Sequence, residues 1–301
     1  MAHDRTLAAF RIRRVRIPLV TRMNDVSRHY TRGDLLSRLN AALTADGADP
    51  QQPTADALAP YDHFHGRGLD ATVELADLMP ARAGDHVLDI GSGIGGPARY
   101  IAARFNCRVT GIDLTKEFCD VARHLTRLAG LDDRVRFETA DALAMPFSDA
   151  TFDGAYSINV AMNIADKAAF YREIGRVLAP GGWLVLAEIA AGDARPLDYP
   201  TPWASSAATS FLATADDTRA GLLAAGFDVV QIRDSVEAAR ASGARSRALV
   251  ERGEKPPHRS VLLVHGEGAR EAMANSARAL QDGRAVPIEI VARKRRDGSE
   301  R

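Results

Sequence analysis

From residue 84 onward, short apolar runs alternate with longer stretches whose apolar positions recur every three or four residues. "DHVLDI", "CRVTGID", "RVRFETA", "FDGAYSI" and "WLVLAEI" read as strands. "GPARYIAARF", the segment from Thr115 to Gly130 and "DKAAFYREIGRVLA" read as helices. Strands that alternate with helices form βαβ units, and these build a mostly parallel sheet covered on both faces. Upstream, "DLLSRLNAALTADG" puts Leu35, Leu36, Leu39 and Leu43 on one helical face, with Asp34 as N-cap and Gly47 as stop. A polar, proline-containing connector follows to about Tyr61, and "GLDATVELADLM" gives a second amphipathic helix.

Beyond Glu188 the pattern loosens. "AAGDARPLDYPTPWASSAATS" reads as a long loop or cap, a kind of segment that is usually functional in a compact domain. "TADDTRAGLLAAGF" restores a helix between Thr214 and Gly226, "DVVQIRD" a strand, and residues 235–252 and 268–281 are helical in pattern. "VPIEIVARK" is the last strand, expected to begin at or after Pro287, whose nitrogen has no hydrogen to donate. The resulting division is an N-terminal arm and helical lid over 1–60, an α/β core over 61–190, a cap with the last strands and helices over 191–293, and a disordered tail over 294–301.

Composition narrows the partners. The chain has 301 residues, 46% of them hydrophobic, and 39 basic against 39 acidic side chains. A neutral chain has no bulk attraction to nucleic acid or to anionic membranes, and no apolar stretch approaches the ~18 residues of a membrane span. The basic cluster of Arg11, Arg13, Arg14 and Arg16 reads as a solvated N-terminal extension. Cys107 and Cys119 lack metal-ligand spacing and read as buried reduced thiols, which points to the cytoplasm. The expected partner is a small molecule, with a homo-oligomer left open and no metal expected.

The chemistry centres on "VLDIGSGIGGPARY", which contains G-x-G-x-x-G at Gly91, Gly93 and Gly96. In an open parallel sheet, ligands bind beyond the carboxyl ends of the strands, so this loop is the expected site. A glycine loop alone serves an NAD pyrophosphate or another nucleoside equally. Asp89, two residues ahead of the first glycine, suits an ammonium and a sulfonium better than a pyrophosphate. Asp113 ends the next strand, where a carboxylate accepts ribose hydroxyls. Asp141 ends the one after, where it and the Ala142 amide match an adenine edge.

Together, "VLDIGSGIGGPARYIA", "GIDLT", "ADALAMPF", "FDGAYSINVAMNIADKAAFYREIGRVLAPGGWLVLAE" and "LLAAGF" resemble the class I S-adenosylmethionine-dependent methyltransferases over about residues 60–235. "YSINVAMNI" and "YDHFHGRGLDATVELADL" are most similar to bacterial sarcosine/dimethylglycine N-methyltransferases. The resemblance implies a Rossmann-like seven-stranded sheet with an antiparallel last strand. It also implies that S-adenosyl-L-methionine, leaving as S-adenosyl-L-homocysteine, is held by Asp89, Gly91, Ser92 and Gly93, by Asp113 and Leu114, by Asp141 and Ala142, and by Asn159. His63 stands where such relatives often carry glutamine. Candidate catalytic residues are His65, Asn159 and Tyr30; candidate substrate contacts are His63, Asn163, Tyr199, Trp203 and Phe211. His258 and His265 are further imidazoles that could supply a base. The expected reaction is methylation of an amine nitrogen in an amino-acid-like or other amine-bearing metabolite. The alternatives are C- or O-methylation of a natural-product scaffold with a histidine base, an NAD-dependent oxidoreductase, and a non-catalytic cofactor-binding protein.

Overall fold

The structure is a computed structural model, described for Tyr30, residues 33–192 and residues 196–296. The basic cluster at Arg11–Arg16 lies outside the described residues. Seven strands form one sheet: β1 His86–Ile90, β2 Arg108–Asp113, β3 Val135–Thr139, β4 Phe152–Ile158, β5 Leu178–Ala191, β6 Phe227–Asp234 and β7 Ala285–Lys294. Their order is β3-β2-β1-β4-β5-β7-β6. Every pairing among β1 to β5 is parallel, and β7 runs antiparallel to both β5 and β6. The strand order reverses between β1 and β4, which opens the crevice at the ends of those two strands.

Helices cover both faces. On one, Leu88, Ile90, Leu184, Leu186 and Ile290 pack with Phe170, Ile174 and Leu222, contributed by α6 (Lys167–Val177) and α7 (Ala215–Ala224). On the other, Val87, Val109, Tyr156 and Val185 pack with Leu75, Ile101 and Cys119, contributed by α3 (Leu69–Ala76), α4 (Gly96–Phe105) and α5 (Lys116–Leu128). A third cluster sits over the strand ends: Leu35, Leu39 and Leu43 of α1 (Leu35–Ala45), Leu58 of α2 (Ala55–Asp62), Phe118, Ile94 and Leu263. The leucine stripe of α1 is thus buried, as its spacing predicts. The remaining helices are α8 (Val236–Glu251), α9 (Ser260–His265) and α10 (Ala269–Gln281).

Four local expectations are corrected. The connector before Tyr61 contains α2, whose N-cap Thr54 accepts from the Ala57 amide. Pro60 lies inside that helix. Asp34 adopts a left-handed backbone and makes no side-chain cap; the Leu35 amide donates instead to Glu117 Oε1 of α5 at 2.9 Å. β7 begins before Pro287, which pairs in register with Ile189. In a strand the nitrogen and carbonyl of one residue face the same neighbour. The Pro287 carbonyl accepts from Ser235, just past the end of β6, so the missing N–H falls where no ladder bond is due. Finally, order continues into the expected tail: β7 includes Lys294, and the Arg295 amide donates to the Gly226 carbonyl. Residues 297–301 lie outside the described residues.

Candidate active site

The glycine loop is pinned to the end of β2. The Gly91 and Ser92 amides both donate to the Ile112 carbonyl, at 2.8 and 2.9 Å, and the Gly93 amide donates to Asp113 Oδ2 at 2.9 Å. Asp113 Oδ1 accepts from the Thr115 amide at 2.8 Å, so this carboxylate ties the loop to the start of α5. Burial raises the Asp113 pKa, while the Thr115 and Gly93 amides oppose the shift by stabilising the anion. Leu114, next to it, is half-buried.

Gly91 has φ +78°, and a Cβ there would lie 2.1 Å from Val160 Cγ2. Only a bare Cα fits between the loop and the segment after β4. Phe64 covers Gly93, with its ring 3.4 Å from where a Cβ would stand.

Asp89 lies under this turn, 2% exposed, and its Oδ2 has no hydrogen-bond partner in the protein. Burial pushes its pKa up to about 7; the Tyr156 hydroxyl beside it favours the anion and the Asp113 charge disfavours it. Ser92 Oγ is likewise buried without a partner, and the Tyr156 hydroxyl has none other than the Asp89 carboxylate it lies beside. An unpaired buried carboxylate is costly unless a cation meets it. These atoms around a loop with no room for Cβ fit the ammonium of a methionyl group and fit a pyrophosphate badly. Asp141 is half-buried and accepts from the Leu143 amide at 2.9 Å, and Ala142 beside it is half-buried against the core.

The segment after β4 crosses the crevice. Asn159 is left-handed, φ +57°, and its amide donates to the Ala187 carbonyl at 2.7 Å. A 3-10 turn, Ala161–Asn163, follows. Asn163 is spent on the protein: its Oδ1 accepts from the Tyr30 hydroxyl at 3.2 Å, and its Nδ2 donates to the Trp203 and Thr209 carbonyls at 2.7 and 3.1 Å. The expected substrate contact is therefore a tie between Tyr30 and the cap. Tyr30 also meets the rings of Phe118 and His265, each 6.1 Å away between centroids, and burial raises its pKa, with Asp113 adding to the effect. Trp203 is buried among Met162, Ala204, Ile189 and Tyr199, and its Nε1 donates to Ser210. It forms the cap's own core. Phe211 is half-buried and reaches the site through its backbone, its amide donating to the Met162 carbonyl at 2.7 Å.

His63 and His65 do point the same way, as alternation predicts, but toward α3. His63 Nδ1 and His65 Nε2 share Thr72 Oγ1 at 2.8 and 3.0 Å. Burial lowers the His63 pKa to about 3 and that of His65 well below its usual value, so both are neutral. Between them Phe64 takes the position on the loop. Asp62 pairs with Arg99 at 2.8 Å, both buried, and His258 packs against Ser260 nearby. The imidazole beside the crevice is His265, buried at the end of α9 next to Tyr30.

Sequence reasoning missed Phe64, Val160, Lys167 and Glu188. Glu188 carried a usable signal, because it is a fourth acid near a strand end, in "LAEI". Among the described residues, no group of three or more His, Cys, Asp and Glu side chains could hold a metal, and no helix is long and apolar enough to cross a membrane.

Residues 88–186 match the family model of a methyltransferase domain. The chain therefore carries a methyltransferase domain, on a fold that it shares with solved S-adenosylmethionine-binding methyltransferases. It is 34% identical over 164 residues to the methyltransferase GfsG of Streptomyces halstedii, covering 52% of this chain and 57% of that protein. The chain spans about half the length of the curated relatives it matches. The phosphoethanolamine N-methyltransferase 2 of Haemonchus contortus, solved with S-adenosyl-L-methionine, is 20% identical with a TM-score of 0.64, covering 82% of this chain and 58% of that one. The [4+2]-cyclase SpnF is 23% identical with a TM-score of 0.63, covering 87% and 94%. Curated matches include N-, O- and C-methyltransferases and so do not select the acceptor atom.

Proposed function

We propose that the chain transfers a methyl group from S-adenosyl-L-methionine to a hydroxyl oxygen of an uncharged small molecule. The orphaned Asp89 carboxylate under the glycine loop carries the cofactor part. Asp89 and the Gly91–Gly93 backbone would hold the methionyl end, Asp113 the ribose, and Asp141 with Ala142 the adenine. When bound, the cofactor supplies an electrophilic methyl on sulfur. The chain's own task is to orient the acceptor, exclude water and accept a proton.

The acceptor reading rests on the walls. Lys167 donates to three backbone carbonyls, the terminal nitrogens of Arg38 to the Leu263 and Gly33 carbonyls, and Arg99 to Asp62, Ile94 and Thr126. An amino-acid-like acceptor needs a cation for its carboxylate, and among the described residues these three cations are spent on the protein, apart from the Nε of Arg38. The Tyr30, Phe118, Phe64 and His265 cluster suits an apolar scaffold instead. A hydroxyl must lose its proton as the bond to carbon forms, and His265 is the group we assign to take it.

The test is calorimetry with S-adenosyl-L-homocysteine and NAD, then incubation with a metabolite extract and methyl-labelled cofactor, read by mass spectrometry. Binding of the homocysteine nucleoside and label on oxygen support the proposal. Label on an amine nitrogen overturns the acceptor assignment, and binding of NAD alone overturns the cofactor assignment. Cofactor binding without transfer leaves a protein that kept the fold for another task.

A further inference from the structure

Glu188 and Lys167 grip opposite ends of the segment that crosses the crevice. Glu188 Oε1 accepts from the Ala161 amide at 3.1 Å and from the Val160 amide at 3.4 Å. These are the first amides of the 3-10 turn, which nothing inside the turn can satisfy. The residue before it in β5, Ala187, takes the Asn159 amide. Two consecutive residues of one strand therefore hold three consecutive amides. At the other end, Lys167 Nζ donates to the carbonyls of Ala161, Ile164 and Phe211 at 2.6, 2.8 and 2.6 Å. That uses all three hydrogens of the ammonium.

The arrangement is expensive for a merely filled space. Glu188 is 6% exposed, and its second oxygen has no partner. Burial pushes its pKa up to about 7, opposed by the Ala161 amide and by Lys167; burial pulls Lys167 down to about 8. A well-packed apolar pair would cost less than two desolvated charges. What the charges secure is backbone geometry. Asn159 is held in the left-handed region, which an ordinary chain leaves readily. Val160, the next residue, stands on the bare Cα of Gly91. The Phe211 carbonyl brings the cap into the same grip.

We propose that Glu188 and Lys167 are positioning residues: together they fix the 159–164 segment, and through Val160 they set the separation between that segment and the glycine loop. The proposal rests on the cofactor reading above, since the separation matters because a nucleoside lies along the loop.

The experiment uses the full chain as wild type, Glu188→Ala, Glu188→Gln and Lys167→Met. S-adenosyl-L-homocysteine affinity is measured by calorimetry, and amide hydrogen exchange is followed in peptides spanning 159–164. Glu188→Ala is expected to weaken binding about tenfold and to speed exchange in this peptide alone. Glu188→Gln, which keeps an acceptor oxygen, recovers most of both. Lys167→Met speeds exchange in the same peptide and in the one containing Phe211. Unchanged exchange in Glu188→Ala and Lys167→Met overturns the proposal. So does faster exchange spread evenly over the chain and not relieved by glutamine, which marks general loosening. If the wild type fails to bind the nucleoside, the cofactor reading falls, and the exchange data alone decide whether the pair holds the turn.

Discussion

Asp89→Asn should make the ligand-free protein more stable while weakening its hold on the cofactor. In the unfolded chain the carboxyl has its ordinary pKa of 3.8, and in the folded chain burial holds it at about 7. Between those values the unfolded state has lost a proton that the folded state keeps, so stability falls as pH rises through this window and the full penalty stands above it. About three pH units at ~1.4 kcal/mol each give ~4 kcal/mol at pH 8, and roughly a third of that at pH 5. Asparagine removes the ionisable group and with it the penalty. For a chain of 301 residues, an unfolding entropy of about 2 cal/mol/K per residue converts ~4 kcal/mol into a rise of about 6 °C. Differential scanning calorimetry of both proteins at pH 5 and pH 8, with and without S-adenosyl-L-homocysteine, measures each quantity. The difference should be about threefold larger at pH 8. Nucleoside affinity of the wild type should rise with pH toward a plateau above about 7, and that dependence should be largely lost in the variant. A gain of equal size at both pH values refutes the ionisation reasoning, and a gain with undiminished affinity refutes the ligand role.

Arg99→Met should destabilise the chain by about 3–5 kcal/mol in denaturant titrations, because it strands Asp62 among buried histidines. Adding Asp62→Leu should restore much of that loss. Gly91→Ala places a Cβ 2.1 Å from Val160 Cγ2 at a positive φ, so calorimetry should show nucleoside binding reduced by about two orders of magnitude. Val160→Ala in the same chain should relieve the clash but not the backbone strain, returning only part of the affinity. Asn163→Ala unties Tyr30 from the Trp203 and Thr209 carbonyls, and tryptophan emission should shift to the red while the melting point falls by no more than a few degrees.

The sheet was legible because its strands are apolar runs separated by helices with a 3.6-residue period; β4 was read to the residue. The helix at 55–62 was not, since "ADALAPYD" is short, polar and carries Pro60, and its stability comes from Leu58 and Tyr61 docking on α1 and α9. The acids at the ends of β1 and β2 could be found from spacing because strand ends are fixed by the fold. The "DHFH" stretch shows the limit. Alternation says that two histidines share a side, but which side faces the ligand depends on Thr72, a residue from a different element. Asn163 illustrates a second limit, since its three partners come from residue 30 and from residues 203 and 209. Glu188 and Lys167 belong to the same kind: they act on backbone groups, which leave no mark in side-chain spacing.

The reversed strand has a consequence for biosynthesis. β7 fills the slot between β5 and β6, although it is made after both. Until the ribosome releases it, β5 and β6 each present an open edge and a row of unanswered peptide groups. The strands before it can collapse during translation, but the sheet closes only once β7 has emerged. A premature stop codon anywhere before Ala285 therefore leaves a sticky nascent product for chaperones, not a smaller working domain.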